Sequence, residues 1–532
     1  MATVRLKFQW STLWLLAAVV VCAVEIYAAS GRGFSGTTSV WNDDLQSADQ
    51  VAIPNRATAS ISIGTIGDST RSTGSAILVL GNLSAVFDGD LEVTLTAKPV
   101  YNAEIPSVRL SEAGRVATNA RSRGADAQDT EGAYAAPLRR ASSLSLNSRC
   151  TTEQPGTSRS PSQPAVCQDS RRVYFLQTAI SSLGNKSAHS AVACSLIAEN
   201  RRIRIYVDER LPRDESLANL VNAIDEASLS RLGDVVEELM GPVCDVDQDG
   251  HLAVVLTPEV ARLGRGQTAV DGLTRPADFL VGLDRPQGNN SDIIFLSSSL
   301  RSGEQLRAVL AHEWCHAAVF GRRLHGTETR TSHPTEDDWL NEAIAHVVEV
   351  RASGSMSNLS HRIDSYRSHP GDSPLVVRDY CQPNYWRHDG CRGAAYLFLQ
   401  WCLDQTDESL LNRFVDGRSS GLDNLEAATG RSFEELFLGW TTSLGLGLAN
   451  ADNPNSPNDD GVRAATIGLS HRHWRLNRSG EQMLTVRIRG TCAEFIRIEC
   501  GEGDNVWQLT AATASRGDRL QTTLIPVANC QR

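Results

Sequence analysis

The residues with the clearest chemical potential are His312-Glu313-Trp314-Cys315-His316, which place two imidazoles four positions apart with a carboxylate beside the first. On an α-helix this spacing puts His312 and His316 on the same face, within reach of one ion. Two such imidazoles suit Zn²⁺, and Glu313 is placed to take a proton from a metal-bound water. The run predicts a hydrolytic zinc site, with a pair of structural histidines as the alternative.

The flanking residues predict the helix that a zinc site of this kind requires. Apolar residues recur at three- and four-residue intervals from Leu306 to Phe320, and Gly321 favours a helix end. A metzincin would continue with Gly at position 319 and His at position 322. Val319 and Arg322 occupy those positions, which excludes that branch of zinc hydrolases.

A third zinc ligand is predicted further along the chain, because zinc that activates water usually has three protein ligands. The run 339–346 (Trp-Leu-Asn-Glu-Ala-Ile-Ala-His) predicts a helix, and the acidic residues at 336–338 suit its N-terminus. Glu342, His346 and Glu349 recur on one face among apolar residues. A buried carboxylate needs a partner, so Glu342 is the predicted ligand. A solvated glutamate near a helix start is the alternative.

These two segments resemble the gluzincin metallopeptidases, the clan of thermolysin and the zinc aminopeptidases, and most closely the secreted hyicolysin-type peptidases. The resemblance extends from about Arg202 to Leu448. It implies a thermolysin-like α+β catalytic domain with a small strand-rich N-terminal part and a helical active-site half. It also implies a polypeptide substrate, Glu313 as general base, and Zn²⁺ bound by His312, His316 and Glu342.

Two features depart from the gluzincin pattern. A polar loop lengthens the gap between His316 and Glu342. The Gly-x-Met-Glu-Asn-type segment with which aminopeptidases capture a free amine has no equivalent before His312, which disfavours exopeptidase activity.

Residues near the predicted ligands are expected to support them. In this clan a Tyr or His commonly stabilises the oxyanion. The candidates are Tyr380, Tyr385 and His388. Tyr385 is the preferred one, and the alternative is that it is a surface or packing residue. Metal-bound histidines usually donate their second N–H to a carboxylate. Glu349, two turns beyond Glu342, is predicted to be that acceptor. His346 is expected either to hydrogen-bond a metal ligand or to pack.

A second cation-binding pattern is Asp245-Val246-Asp247-Gln248-Asp249-Gly250. Its alternating carboxylates resemble the front half of a calcium loop, which makes Asp245, Asp247 and Asp249 candidate Ca²⁺ ligands. The twelfth loop position is Leu256 rather than Glu, so the loop is not a complete EF-hand. A solvated Asx-rich turn is the favoured alternative.

Composition and the N-terminus predict export. The chain has 532 residues and a net charge of −11, which argues against nucleic acid as a partner. Basic Arg5 and Lys7 precede an apolar run from Leu13 to Val24 and small residues up to Ser30, the layout of a secretory signal. We expect a secreted or extracytoplasmic protein, with an uncleaved N-terminal anchor as the alternative and no other membrane partner.

An exported chain permits disulfides, and the twelve cysteines offer candidates. Three pairs are near enough in sequence to be candidates: Cys150/Cys167, Cys381/Cys391 and Cys492/Cys500. Cys315 points away from the predicted ligands on its helix and is expected to be a buried thiol.

Strand-like alternation at both ends of the chain predicts flanking β-domains. The expected organisation is a signal peptide or anchor at 1–30, a β-rich accessory domain at 31–110, a disordered linker at 111–168, a zinc metallopeptidase domain at 169–450 and a C-terminal β-domain at 451–532. The predicted function is an exported zinc-dependent endopeptidase. The rivals are a non-catalytic zinc-binding surface protein on a peptidase scaffold and a zinc hydrolase acting on another bond.

Overall fold

The described residues form two structural regions. One contains a sheet and helices and includes the candidate zinc ligands, and the other is a β-sandwich beside it. The structure is a computed structural model. It describes residues 49–52, 61–66, 75–84, 89–100, 171–178, 188–263, 270–325, 334–377, 380, 388–407, 409–451, 465–477, 480–500, 506–513 and 519–527. The predicted signal peptide or anchor, the predicted linker, Cys150/Cys167 and Tyr385 lie outside these residues. The predicted mixed α+β class is confirmed.

A six-stranded sheet forms the base of the first region. Its strands are β5 (Arg171–Gln177), β6 (His189–Glu199), β7 (Ile203–Asp208), β8 (Leu252–Thr257), β9 (Gly272–Leu273) and β10 (Ile293–Ser297), in the order β5-β6-β7-β8-β10-β9. The central strands β7, β8 and β10 are parallel and β9 is antiparallel to β10. Every residue of β8 and β10 is buried, as their uninterrupted apolar sequences require of parallel strands covered on both faces.

Two helices lie between β7 and β8, one described helix lies between β8 and β9, and the others follow β10 along the chain. The helices are α1 (Glu215–Leu229), α2 (Arg231–Met240), α3 (Glu259–Arg262), α4 (Glu304–His325), α5 (Asp338–Ser353), α6 (Ser360–Ser368), α7 (Asp389–Asp404), α8 (Ser409–Asp416), α9 (Gly421–Thr429) and α10 (Phe433–Ala449). Helix α4 packs against α5, α5 packs against α7, and α6 packs against α7. The two segments predicted to carry zinc ligands are therefore neighbouring helices. Among the described residues, no helix combines the length and apolar character needed to cross a bilayer.

Local capping explains where several of these helices begin and end. The Asp214 side chain accepts a hydrogen bond from the Leu217 N–H at the start of α1. Ser432 and Glu435 form a reciprocal capping box at the start of α10. Helix α5 ends at Gly354, whose φ of 69° is a left-handed conformation that glycine adopts without strain.

The sandwich corrects the predicted division into separate N- and C-terminal β-domains. One sheet contains β1 (Asp49–Ala52), β15 (Leu520–Pro526), β3 (Ser75–Asn82), β13 (Ala493–Cys500) and β11 (Arg472–Leu476) in that order. The other contains β12 (Gln482–Ile488), β4 (Leu91–Val100), β14 (Val506–Thr513) and β2 (Ile61–Ile66). Strands from the two ends of the chain alternate in both sheets, a long-range pairing that the local period of two does not encode.

The sheet that contains β3 is buried on both of its faces. Leu78 and Ile496 belong to the core inside the sandwich. Val79 and Ile525 belong to the core that continues into the helices. Helix α10 packs on this second face, where a Cβ at Gly445 would lie 2.6 Å from Val79 Cγ2 and 2.7 Å from Ile525 Cδ1. The glycine therefore permits a close approach between the helix and the sheet.

Two predicted disulfides are absent. Cys492 and Cys500 are buried free thiols, because they lie at opposite ends of the extended strand β13. Eight residues of strand span roughly 25 Å, far beyond the ~6 Å between the Cα atoms of a disulfide. Cys391 is also a buried free thiol, while Cys381 lies outside the described residues. Cys315 is buried within α4, as predicted.

We expect Gly445→Ala to lower the free energy of unfolding by roughly 1–3 kcal/mol, because the added methyl group overlaps Val79 at the helix–sheet contact. Urea unfolding followed by tryptophan fluorescence measures the change. Val79→Ala in the same chain provides the matched control, since it opens space for the new methyl group. The double variant should be less destabilised than the sum of the single variants, and strict additivity would contradict this view of the contact.

Candidate metal centre

Three predicted ligands come together where α4 meets α5. His312 and His316 are one turn apart on α4, and their Nε2 atoms lie 3.1 Å from each other. Glu342, near the start of α5, places Oε2 3.4 Å from His312 Nε2 and Oε1 3.8 Å from His316 Nε2. One ligand atom from each residue thus lies within 4.8 Å of the other two.

The spacing and chemistry of these donors fit a zinc ion. Tetrahedral bonds of about 2.0–2.2 Å separate the donor atoms of a zinc site by roughly 3.3 Å, close to the separations found between His312, His316 and Glu342. The buried Glu342 Oε2 makes no hydrogen bond of good geometry among the described residues, and Arg392 Nη1 approaches it to 2.9 Å as an ion pair. Two imidazoles and one carboxylate leave a fourth zinc position for water or substrate.

The electrostatics of the three groups is dominated by burial and by their mutual contacts. Burial alone would lower the pKa of His312, but hydrogen bonds with Glu342 and Glu349 raise it to about 10. Burial and the charge of His312 lower the pKa of His316 to about 3. Burial would raise the pKa of Glu342, whereas Arg392 and His312 hold it well below its usual range. The carboxylate is therefore ionised and able to bind a cation.

A second carboxylate of α5, Glu349, supports His312 from the other side of its ring. Glu349 Oε2 accepts hydrogen bonds from His312 Nδ1 at 3.0 Å and from His346 Nδ1 at 2.9 Å. Asn358 Nδ2 also donates to this oxygen, at 3.2 Å. Burial would raise the pKa of Glu349, but the two histidine hydrogen bonds lower it to about 2. An ionised acceptor at Nδ1 keeps a proton on that nitrogen, so Nε2 is the nitrogen that would bind a metal once its own proton is displaced.

Glu313, the predicted general base, is confined by the edge strand β9. Thr274, directly after β9, donates its hydroxyl to Glu313 Oε2 at 2.8 Å. A Cβ at Gly272 would lie 2.6 Å from Glu313 Cγ and Oε1, so only glycine leaves room for the carboxylate. Burial raises the pKa of Glu313 to about 7, against the opposing effect of His312. Neither Gly272 nor Thr274 was predicted from the sequence, because two residues of strand provide no local signal.

A cavity of about 580 Å³ opens onto the centre, and the residues that line it distinguish between the candidates for the oxyanion partner. Tyr380 lines this cavity, and its buried hydroxyl has no hydrogen-bond partner among the described residues. His388 is not among the lining residues, and nearby charges include Arg489 from the sandwich. Tyr385, the preferred candidate, lies outside the described residues. The placement of His388 does not support the role predicted for it.

Arg392 is a site residue that the sequence analysis missed. It lies on the first turns of α7, and its Nη1 is 2.9 Å from Glu342 Oε2. The guanidinium lies over the ring of Tyr380, 5.0 Å from its centroid. Its position after an acidic helix start gave no indication that it would reach a residue fifty positions earlier.

The calcium candidates are only partly brought together. Asp245 and Asp247 form a cluster with Asp292, with ligand atoms within 4.8 Å of one another. Asp249, the third predicted ligand, instead forms ion pairs with Arg172 at 3.0 Å and Arg204 at 2.7 Å. The prediction for Asp249 is therefore corrected, because two guanidinium groups occupy its carboxylate.

Comparison of the chain with protein-family models gives no match, and neither does comparison with curated proteins. The chemical meaning of the centre consequently depends on its own side chains. Of these, His312, His316 and Glu342 were predicted from sequence spacing, whereas Thr274 and Arg392 emerge from the fold alone.

We expect Glu349→Gln to weaken zinc binding about 10- to 100-fold, because the amide is a poorer acceptor for His312 Nδ1–H than the carboxylate. Competition with a chromogenic chelator measures the affinity. Glu494→Gln, which changes a buried glutamate of the sandwich, is the matched control and should leave zinc affinity unchanged. Equal affinities for the wild type and Glu349→Gln would show that the hydrogen bond does not position His312.

We expect Asp292→Asn to stabilise the metal-free protein at pH 8. Burial raises the pKa of Asp292 from 3.8 to about 8, so the folded state resists an ionisation that the unfolded state allows. The free energy of unfolding of the wild type should therefore fall as pH rises from 4 to 8, whereas asparagine removes this slope. In urea unfolding with EDTA, the wild type and Asp292→Asn should have nearly the same free energy of unfolding at pH 4. At pH 8 the free energy of unfolding of Asp292→Asn should be higher by roughly a few kcal/mol.

Exposed Asp284→Asn is the control for this series, and an identical pH slope in the wild type and Asp292→Asn would contradict the effect of burial. The same titration tests the calcium prediction. Stabilisation of the wild type by millimolar Ca²⁺, and its loss in Asp292→Asn, is the result expected of a cation site at Asp245, Asp247 and Asp292.

Proposed function

We propose that this chain is an exported zinc-dependent endopeptidase of the gluzincin type, with a thermolysin-like catalytic domain. The observation that carries this proposal is the convergence of His312, His316 and Glu342 donor atoms beside Glu313 in one cavity. A structural role explains two buried histidines, but it does not explain why four groups suited to zinc hydrolysis meet at the wall of an open cavity. The N-terminal residues 1–30 support the exported location.

Glu313 is the proton-transfer group in this proposal. Zn²⁺, when bound, supplies the positive charge that activates water and balances an oxyanion. Thr274 holds Glu313 Oε2, and the wall at Gly272 limits the rotation of the carboxylate. A buried carboxylate whose pKa is about 7 accepts a proton and returns it near neutral pH. Glu313 thus takes the proton from water and delivers it to the leaving amine.

Tyr380 takes the role of oxyanion partner in this proposal. Of the candidates that the structure describes, Tyr380 lines the cavity and His388 does not. The Tyr380 hydroxyl has no hydrogen-bond partner among the described residues. Arg392, stacked over the ring, fixes the orientation of the phenol and places positive charge nearby. Both features favour stabilisation of a developing negative charge at this wall.

The edge strand β9 supports a polypeptide as the substrate. In the described part of the six-stranded sheet, β9 has a single neighbour, β10, and its residues line the cavity beside Glu313. An extended peptide binds such an edge through main-chain hydrogen bonds. This arrangement would place a peptide carbonyl beside the general base. It favours peptide hydrolysis over hydrolysis of another bond by the same zinc chemistry.

We expect Glu313→Gln to retain one zinc per chain and to lose at least about 10²-fold in cleavage of a denatured, fluorescently labelled protein. Glutamine keeps the Thr274 hydrogen bond but cannot accept the proton. Zinc is measured by atomic emission and cleavage by fluorescence, with and without chelator. Glu494→Gln should behave as the wild type.

Full activity of Glu313→Gln would contradict the assignment of Glu313 as the general base. Stoichiometric zinc in the wild type without chelator-sensitive cleavage would instead favour the rival function, a non-catalytic zinc-binding surface protein.

A further inference from the structure

Two arginines from different helices occupy one wall of the cavity that contains the candidate metal centre. Arg362 lies on α6 and Arg392 on α7, and both line the cavity. Their side chains are only 17% and 20% exposed. A surface arginine keeps its charge in water, so two half-enclosed guanidinium groups beside one cavity need a reason.

The contacts of the two arginines hold them in place without using all of their donors. Arg362 donates from Nε to the Asn358 carbonyl at 3.1 Å and from Nη1 to Asp389 Oδ1 at 3.2 Å. Arg392 forms its ion pair with Glu342 through Nη1 and lies over Tyr380. A guanidinium carries five N–H donors, so both side chains keep donors that have no acceptor in the part of the chain that the structure describes.

Each arginine pairs with one carboxylate that also contacts a second group. Asp389, the partner of Arg362, also lies 3.7 Å from His361 Nε2. Glu342, the partner of Arg392, is a proposed zinc ligand, so its charge also serves the metal. Burial and the neighbouring charge of Arg392 lower the pKa of Arg362 to about 10, which reflects the cost of holding two cations together.

Other acidic side chains of the cavity have partners of their own. Asp271 accepts a hydrogen bond from Gln305, and Glu336 accepts one from Asn424. Asp338 accepts one from the Tyr380 N–H. The arginine wall is therefore the part of the lining where two guanidinium groups meet, and their N–H donors suit an incoming anion.

We propose that Arg362 and Arg392 form a carboxylate-binding subsite that makes this enzyme prefer substrates with a carboxylate close to the scissile bond. The planar guanidinium fork matches a carboxylate in geometry and charge, and two forks bind one such group from two sides. The carboxylate belongs either to an acidic side chain or to the C-terminus of the peptide. This inference rests on the proposed peptidase function for its meaning, although binding of the anion does not require turnover.

The test uses blocked alanine hexapeptides with one glutamate at each position in turn, their glutamine counterparts, and an all-alanine hexapeptide with a free or amidated C-terminus. Binding to the zinc-loaded Glu313→Gln full-length protein is measured by calorimetry, and kcat and KM are measured with the wild type. We expect one glutamate peptide, or the free C-terminus, to bind roughly 10- to 100-fold more tightly than its neutral counterpart. The position of that carboxylate identifies which source the subsite recognises.

Arg362→Gln should remove the preference for the charged peptide by raising its KM, with little change for the neutral peptide. Arg392→Gln should also remove the preference, but it should slow cleavage of both peptides because Arg392 contacts Glu342 and Tyr380. Arg362→Lys should restore part of the preference, since the charge returns without the fork. Exposed Arg475→Gln on the sandwich is the matched control. Zinc affinity is measured for every variant. Loss of zinc in Arg392→Gln would show that Arg392 acts only by holding the ligand Glu342. Arg362 does not contact a proposed ligand, so Arg362→Gln tests the subsite separately from the metal.

Equal binding of charged and neutral peptides by the wild type, at every position and at both C-termini, would overturn the subsite. So would a preference that persists in both arginine variants. Failure of the proposed function looks different, because a protein that cleaves none of the peptides can still bind the charged one through Arg362 and Arg392.

Discussion

The candidate centre depends on the burial of two carboxylates from one helix against the histidines of another. Glu342 and Glu349 lie on α5 among apolar residues, where an isolated negative charge is strongly unfavourable. His312 contacts both of them, Glu342 through Nε2 and Glu349 through Nδ1. The packing of α4 on α5 is therefore also an electrostatic pairing, which neither helix satisfies alone. A cation between the helices would complete it, because His316 and Glu342 face the same point.

The rest of the fold positions this pair of helices at the wall of the cavity. The buried parallel strands provide a rigid base, and β9 at their edge confines Glu313 through Gly272 and Thr274. Helix α7 carries Arg392 to Glu342 from the opposite side. The sandwich contacts the helical region through α10, where Gly445 allows the sheet to approach. The β-strands from both ends of the chain are thus part of the support for the helices rather than appended modules.

The sequence predicted the parts of the centre that are encoded by spacing within one helix. His312 and His316 follow the period of α4, and Glu342 was detectable because a carboxylate interrupts an apolar face of α5. Contacts between distant segments had no comparable signal. Thr274 precedes Glu313 by thirty-nine positions, and the strands of the sandwich pair across about four hundred. Asp249 shows that a local pattern alone can mislead, since the carboxylate of this candidate calcium ligand forms ion pairs with arginines from β5 and β7.

Glu342 would connect the two functions proposed for the cavity, metal binding and anion binding, because one of its oxygens faces both a histidine and an arginine. Oε2 lies 3.4 Å from His312 Nε2 and 2.9 Å from Arg392 Nη1. An anion bound by Arg392 withdraws part of the positive charge that holds the pKa of Glu342 low, and it leaves more electron density on the carboxylate for a metal. Conversely, a cation held by Glu342 lowers the carboxylate's demand on Arg392 and frees the guanidinium for an anion. If Glu342 holds the metal and Arg392 the anion as proposed, the ion pair would couple the two binding events positively through a single shared oxygen.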